Sequence, residues 1–196
     1  MAVLNLPTDE TTIRSLRVGD FVELSGRVIT GRDAAHHWLV QTFREDVAPY
    51  LRDSVIYHVG PVVRKNSDGS YTFVAAGPTT SAREEPYQAD VIGKYGIRGV
   101  IGKGGMGPKT LGALKQYGAV YFHAIGGAAQ VLAQCVKRVE RVFMLEEFGV
   151  PEALWVIEVE NFPVVVTMDA HGNSLHREVE AASLEQLKAL LQASTA

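Results

Sequence analysis

Apolar positions along the chain recur with two different periods, and each change of period marks an element. Ile13 and Leu16 lie three residues apart behind Asp9 and Glu10, which predicts a short peripheral helix within residues 1–17 with Thr8 as its cap. From Asp20 the period falls to two. The segment Phe21-Val-Glu-Leu-Ser-Gly-Arg-Val-Ile-Thr30 predicts a strand bent or bulged at Gly26. A helix from Ala34 to about Arg44 follows, capped by Asp33, with His36 and His37 in its first turn and Trp38 and Leu39 toward the core. Residues 54–77 predict a β-hairpin, in which Ser54–Gly60 and Pro61–Arg64 turn at Asn66-Ser-Asp-Gly69 into Tyr71–Ala76. Residues 84–96 predict an amphipathic helix with Tyr87, Val91, Ile92 and Tyr95 on one side.

The next stretch repeats strand and helix: strand Arg98–Ile101, helix Lys109–Tyr117, strand Ala119–His123 and helix Ala128–Arg138. Such a β-α-β-α run favours parallel strands and right-handed crossovers. Within it, Ala119–Val136 carries no Asp, Glu, Lys or Arg, close to the length of a membrane span. His123, Gln130, Gln134 and the Gly126-Gly127 break divide it instead into a short strand and a buried helix. Strands Leu154–Glu160 and Pro163–Met168 then meet at Asn161-Phe162, and a turn occupies Asp169–Asn173. The capping box Ser183-Leu-Glu-Gln186 opens a short terminal helix, about residues 183–192. No repeat, low-complexity segment or linker interrupts the chain. The pattern predicts a single mixed α/β domain over residues 1–196, with a β-rich front half and a β-α-β-α segment.

Composition narrows the partners. With 46% hydrophobic residues the chain can bury a real core, and its net charge of −3 without a Lys/Arg cluster argues against nucleic acid. The first residues lack the charged and apolar regions of a signal peptide, so a cytoplasmic, membrane-free protein is expected. Cys135, the single cysteine, excludes an internal disulfide and a self-sufficient cysteine-held iron–sulfur or zinc site. It is expected inside the helix, packed with Val131, Leu132 and Val139.

The chemistry concentrates in Gly99-Val-Ile-Gly-Lys-Gly-Gly-Met-Gly-Pro108, an apolar strand that runs into glycines and one lysine ahead of a helix. Glycines bring backbone N–H groups close to a ligand, and a following helix points its positive end at the same spot, so an anion is expected beside Lys103. Gly102-x-Gly104-x-x-Gly107 matches the dinucleotide pattern, but the next strand ends in His123 and Ala124 without the acidic residue that holds a ribose. The same residues fail as a P-loop, where Pro108 and Lys109 replace Lys and Ser/Thr. A second turn, Gly77-Pro-Thr-Thr-Ser-Ala-Arg83, sets three hydroxyls and a guanidinium after a buried strand, and these groups orient a carboxylate.

Taken together, Gly31-Arg-Asp-Ala-Ala-His36, Gly60-Pro-Val-Val-Arg-Lys65, Gly77-Pro-Thr-Thr-Ser-x-Arg83, Gly102-Lys-Gly-Gly-Met106, Ile125-Gly-Gly-Ala-Ala-Gln-Val-Leu-Ala-Gln134, Glu152-Ala-Leu-Trp155 and Asp169-x-His-Gly-Asn173 resemble a known family. It is the C-terminal domain, or separate β subunit, of the class I iron–sulfur fumarate hydratases and the related L-tartrate dehydratases, and the resemblance covers about residues 15–175. It implies a swivelling β/β/α-type fold and an active site shared with a partner α subunit. That partner carries a 4Fe-4S cluster which this chain does not ligate, in an assembly such as α2β2. Carried over residue by residue, the resemblance makes Arg32, Arg83 and Lys103 the cations that hold the dicarboxylate, with Thr80 and Gly104 beside them. Thr79 matches the proposed base, and His36 is the alternative acid–base group. No metal ligand is implied in this chain. One departure stands out: Glu84 follows Arg83 where the family usually has Met. The implied reaction is reversible hydration of fumarate to L-malate by an αβ enzyme. Tartrate dehydration is the alternative, and a phosphate- or nucleotide-binding module around Lys103 is a second.

Overall fold

The computed structural model describes residues 2–193 and opens with a strand, β1 (Ala2–Leu6), that the sequence pattern missed. Leu4 and Leu6 are buried in it while Val3 stays exposed, so its alternation is short and weak. Helix α1 (Glu10–Ser15) buries Ile13, with Leu16 buried at its end, as expected; its cap, however, is Asp9, which accepts from the Thr12 N–H at 2.8 Å. Thr8 is turned inward, its N–H donating to the Asp53 carbonyl.

Strand β2 (Phe21–Thr30) matches the predicted bounds and organises the sheet. It lies parallel to β1 over its first half. At Gly26, φ is +112°, the register slips, and a Cβ would collide with the Leu6 carbonyl, so glycine is required there. After α2 (Asp33–Gln41) and α3 (Ala48–Leu51), the segment predicted as one hairpin divides. Its first part becomes β3 (Val55–Tyr57), parallel to β2 in the main sheet, and only β4 (Val62–Lys65) and β5 (Tyr71–Ala75) form the hairpin across the Asn66–Gly69 turn. A 3-10 turn, Ser81–Glu84, leads into α4 (Glu85–Tyr95), whose buried side is Gln88, Val91, Ile92 and Tyr95; Gln88 takes the place expected for the half-buried Tyr87.

Then come β6 (Gly99–Gly102), α5 (Pro108–Tyr117) and β7 (Val120–His123). The expected helix to Arg138 is corrected. Helix α6 (Ala129–Gln134) stops early, Cys135 is its half-buried end residue, and Val136–Phe143 is strand β8. Val136, Val139 and Val142 lie three apart, a helical spacing, but two register shifts in β8 each insert one extra residue opposite β9 and turn that spacing into a strand face. Short α7 (Leu145–Phe148) precedes β9 (Leu154–Met168), one continuous strand that bends at Asn161, φ +52°, where two strands were expected. Helix α8 (Leu175–Ala193) begins eight residues before the expected Ser183 cap; Ser174 lies at its start, and no Gly or Pro interrupts the helix.

Strands β2, β3, β6 and β7 run parallel, and β9 returns antiparallel to both β7 and β2, so the five close into a ring with β1 and β8 appended. The architecture is mixed α/β. Alternate residues of the parallel strands enter two cores. Tyr57, Ile101 and Phe122 pack with Trp155 and Phe162, whereas Ile56, Val100 and Tyr121 pack with Leu39, Ile92 and Leu114 from the helices. Full burial of each such apolar side chain contributes about 1.5–3 kcal/mol, which fixes the strand ends where the site residues sit. Among the described residues no helix is long and apolar enough to cross a membrane.

Candidate active site

The carboxyl ends of β2, β3, β6 and β7 come to one edge, where open parallel sheets place ligands. Arg32 follows β2, His58 follows β3 and Lys103 follows β6. The Gly77–Ser81 turn threads between the last two. Thr79 donates its N–H to the His58 carbonyl at 2.6 Å and accepts from the Lys103 N–H at 3.2 Å, and the Ser81 N–H donates to the Lys103 carbonyl at 3.0 Å. Thr80 and Lys103 are paired as in a parallel ladder. Two distant turns of the sequence are thereby stitched into one backbone surface carrying Thr79, Thr80 and Lys103.

The cations differ in what already holds them. Arg83, half exposed, pairs with Asp33 at the start of α2. Arg32 Nε lies 3.3 Å from Glu152, whose other oxygen accepts from the Ala34 N–H at 3.1 Å. Gly60 backs the Arg32 guanidinium so closely that a Cβ there would overlap it. Lys103 has no carboxylate within 4.0 Å among the described residues, and its stem passes Gly126, where a Cβ would stand 3.2 Å from Cδ. Gly104 is exposed, at φ +83°, beside Thr80. Arg83 is exposed, whereas Arg32, Thr79 and Lys103 are partly buried.

Two expectations are corrected. The positive end of α5 does not face a ligand: the Glu85 carboxylate accepts from the N–H groups of Gly107, Lys109 and Thr110 at 2.8–3.2 Å and from the Thr110 hydroxyl at 2.6 Å. An internal anion already occupies the place a phosphate would take. His36, expected as an alternative acid–base group, is wholly buried, with Nδ1 2.8 Å from the Arg32 carbonyl and Nε2 2.9 Å from the Gln88 side-chain amide. Burial pushes its pKa down, so it is a neutral ring that fixes the Arg32 corner and cannot reach a ligand on the surface.

His36 belongs to a polar chain inside the apolar core. The same Gln88 amide meets His58 Nε2 at 2.8 Å, His58 Nδ1 meets the Ser81 hydroxyl at 2.8 Å, and the Tyr121 hydroxyl donates to Ser81 at 2.8 Å. The two imidazoles stand edge to face, 5.0 Å apart. Burial drives His58 well below its ordinary pKa, and nearby His36 adds to this. Gly102 has no room for a side chain, because a Cβ would collide with the Ser81 hydroxyl. The chain therefore ties α2, β3, α4, the 3-10 turn and β7 together beneath the surface that carries the cations.

The family model for the fumarase C-terminus matches residues 2–179. The chain belongs to that family. A protein provisionally named fumarate hydratase class I, from Geobacillus stearothermophilus, is 54% identical over 184 residues, which is 94% of this chain but 35% of that protein. The chain thus spans about a third of that relative's length. A protein provisionally named L(+)-tartrate dehydratase subunit beta, from Methanocaldococcus jannaschii, is 43% identical over 182 residues, 91% of this chain and 93% of its own. The L(+)-tartrate dehydratase subunit beta of Escherichia coli K12 is 39% identical over 178 residues, 90% and 87% of the two chains.

Within this member of the fumarase C-terminal family, the sequence pointed to the cations and to the Thr79 turn, and the fold brings Thr79, Thr80 and Lys103 onto one surface. It did not single out His58, Gln88 or Tyr121. The available signal was a polar residue embedded in an otherwise apolar strand or helix face, which is costly unless bonded. No group of three His, Cys, Asp or Glu residues suited to a metal occurs among the described residues, and one cysteine cannot supply the thiolates of an iron–sulfur cluster.

Proposed function

We propose that this chain is the β subunit of a two-subunit iron–sulfur hydro-lyase that interconverts fumarate and L-malate. The observation that carries the reading is Lys103, a cation without a counter-ion among the described residues, set on the same backbone surface as Thr79 and Thr80. Arg32, Arg83 and Lys103 hold the two carboxylates of the substrate, and Thr80 and Gly104 flank them. Fixed cations offset the cost of desolvating a dianion and stabilise the charge that develops when a proton leaves the carbon next to a carboxylate. Thr79 serves in proton transfer in this reading; its hydroxyl needs activation by a neighbour for that role, and the partner chain would supply it. The 4Fe-4S cluster belongs to the α partner in this reading, because this chain lacks the ligands. The reading further expects a cytoplasmic assembly such as α2β2, to be checked by its mass in solution.

Tartrate dehydration to oxaloacetate is the second reading, supported by tartrate dehydratase β subunits that align along most of their length. The nucleotide-binding alternative loses one of its supports, the α5 N-terminus, which Glu85 occupies. The test is anaerobic fumarate hydration, followed by loss of ultraviolet absorbance, for this chain alone and for the chain with its cluster-bearing partner. Activity only in the complex supports the shared site, and repeating with tartrate chooses between the substrates. Turnover by the chain alone, or none on either acid by a cluster-loaded complex, overturns the reading.

A further inference from the structure

The pairing of the cations leaves the proposed dicarboxylate site unevenly balanced. Among the described residues Arg32 has Glu152, Arg83 has Asp33 and Lys103 has no carboxylate, so the three cations outnumber their two ion-pair partners by one. A third carboxyl lies near two of them, Arg32 and Arg83. Glu84, one residue after Arg83 at the end of the 3-10 turn, is wholly buried, and neither of its oxygens has a hydrogen-bond partner among the described residues. His58 Nδ1 stands 4.0 Å from Oε2, too far for a hydrogen bond. The groups that act on it are His58, which follows β3, Arg32 and Asp33 at the β2–α2 corner, Arg83 on its own turn and Tyr121 on β7; His58 is in turn bonded to Gln88, and Gln88 to His36.

A carboxylate in that setting has lost water and gained no well-formed hydrogen bond among the described residues in exchange, which favours its neutral form. Burial, and then the Asp33 carboxylate, push it up to about 7, against a partial opposing pull from its own backbone N–H, Arg83 and Arg32. The histidines do not compensate, since burial holds both neutral. Ionised, Glu84 would set a further negative charge beside Arg32 and Arg83. Protonated, it leaves their charge for an arriving dianion.

We propose that Glu84 is a positioning residue of the dicarboxylate site, taking up a proton as the site fills so that the cations face the substrate's carboxylates and not a buried one. This rests on the dicarboxylate reading above. The direction follows from linkage: the empty site releases the proton near neutrality while the occupied site keeps it, so KM rises with pH above the midpoint of the empty form, by about tenfold per pH unit at its steepest. Ordinary carboxylic acids are fully ionised across that range, so the substrate's own titration does not contribute.

The experiment measures KM and kcat for fumarate from about pH 6 to about pH 9 in the cluster-loaded two-subunit complex, for the wild type and Glu84→Gln. Alongside it, calorimetry with succinate, a dicarboxylate that does not react, in buffers of different ionisation enthalpy counts protons taken up on binding. The wild type shows a KM that rises by about tenfold, with kcat following a different profile, and an uptake at about pH 8 that approaches one proton. Glu84→Gln shows a flat KM and no uptake. A rise in KM that persists in Glu84→Gln, or a wild type that binds succinate without proton uptake, overturns the role of Glu84; the second result decides even if the variant fails to assemble. A complex that hydrates fumarate yet fails these tests refutes Glu84 alone. A complex that turns over neither acid and binds no succinate refutes the dicarboxylate reading and the coupling with it.

Discussion

Glu84→Gln is expected to stabilise the folded chain at alkaline pH and to change little in acid. Glu84 is fully buried with no well-formed hydrogen bond to its carboxyl among the described residues, and its pKa rises from an ordinary 4.5 to about 7 on folding. The native state therefore binds more protons than the unfolded state between those two values, and stability falls as pH rises through that window. At about 1.36 kcal/mol per pH unit, the loss reaches roughly 3 kcal/mol above neutrality and is below about 1 kcal/mol near pH 5. Glutamine has nearly the same shape and never ionises, so it avoids the loss. For a chain of this size roughly 3 kcal/mol corresponds to about 7 °C in Tm. Thermal unfolding of the wild type and Glu84→Gln, followed by circular dichroism at several pH values between about pH 5 and pH 8.5, measures it. The two Tm curves should meet at the acid end and diverge toward the alkaline end, with the variant higher. Curves that stay parallel across the range would refute the assignment of a buried, unpaired carboxyl.

Two further outcomes test the surface itself. Lys103→Ala should lower turnover of the assembled enzyme by about a hundredfold or more while shifting Tm by no more than about 2 °C, since Lys103 has no ion pair among the described residues to lose; unchanged turnover refutes its role. Glu85→Ala removes the acceptor for three N–H groups and one hydroxyl at the start of α5, and should cost about 2 kcal/mol. Amide exchange at Gly107, Lys109 and Thr110 should then speed up ahead of the rest of the helix, and unchanged protection there would contradict the capping.

Much of the framework was legible because its signals are local. Strand β2 announces itself by composition, α4 and α5 by period and by glycine stops, and the site turns by glycine and hydroxyl clusters. What escaped depends on partners far away in the chain. The valines of β8 carry a helical spacing, and only the two bulges against β9 make a strand of them. Val55–Tyr57 reads as half of a hairpin until β2 and β6 claim it from either side. The Glu85 carboxylate meets Gly107 across 22 residues and the Gln88 amide meets His36 across 52, distances at which sequence alone gives no register. His36 itself was noticed and given the wrong task, because a histidine between a strand and a helix looks the same in sequence whether it faces solvent or the core. Glu84 was visible as a departure from the resemblance, but its burial was not.

The Glu85 cap has a consequence for the neighbouring glycine loop. A run such as Gly102–Gly107 is costly to order, since glycine surrenders more backbone freedom than any other residue. Here one end of the run is paired with the Thr79 turn through the Lys103 N–H and carbonyl, and the other is held by Glu85. That entropy is spent once, during folding. An anion arriving at Lys103 then meets a backbone already set, and the free energy of the contact goes into binding instead of into taming a loop.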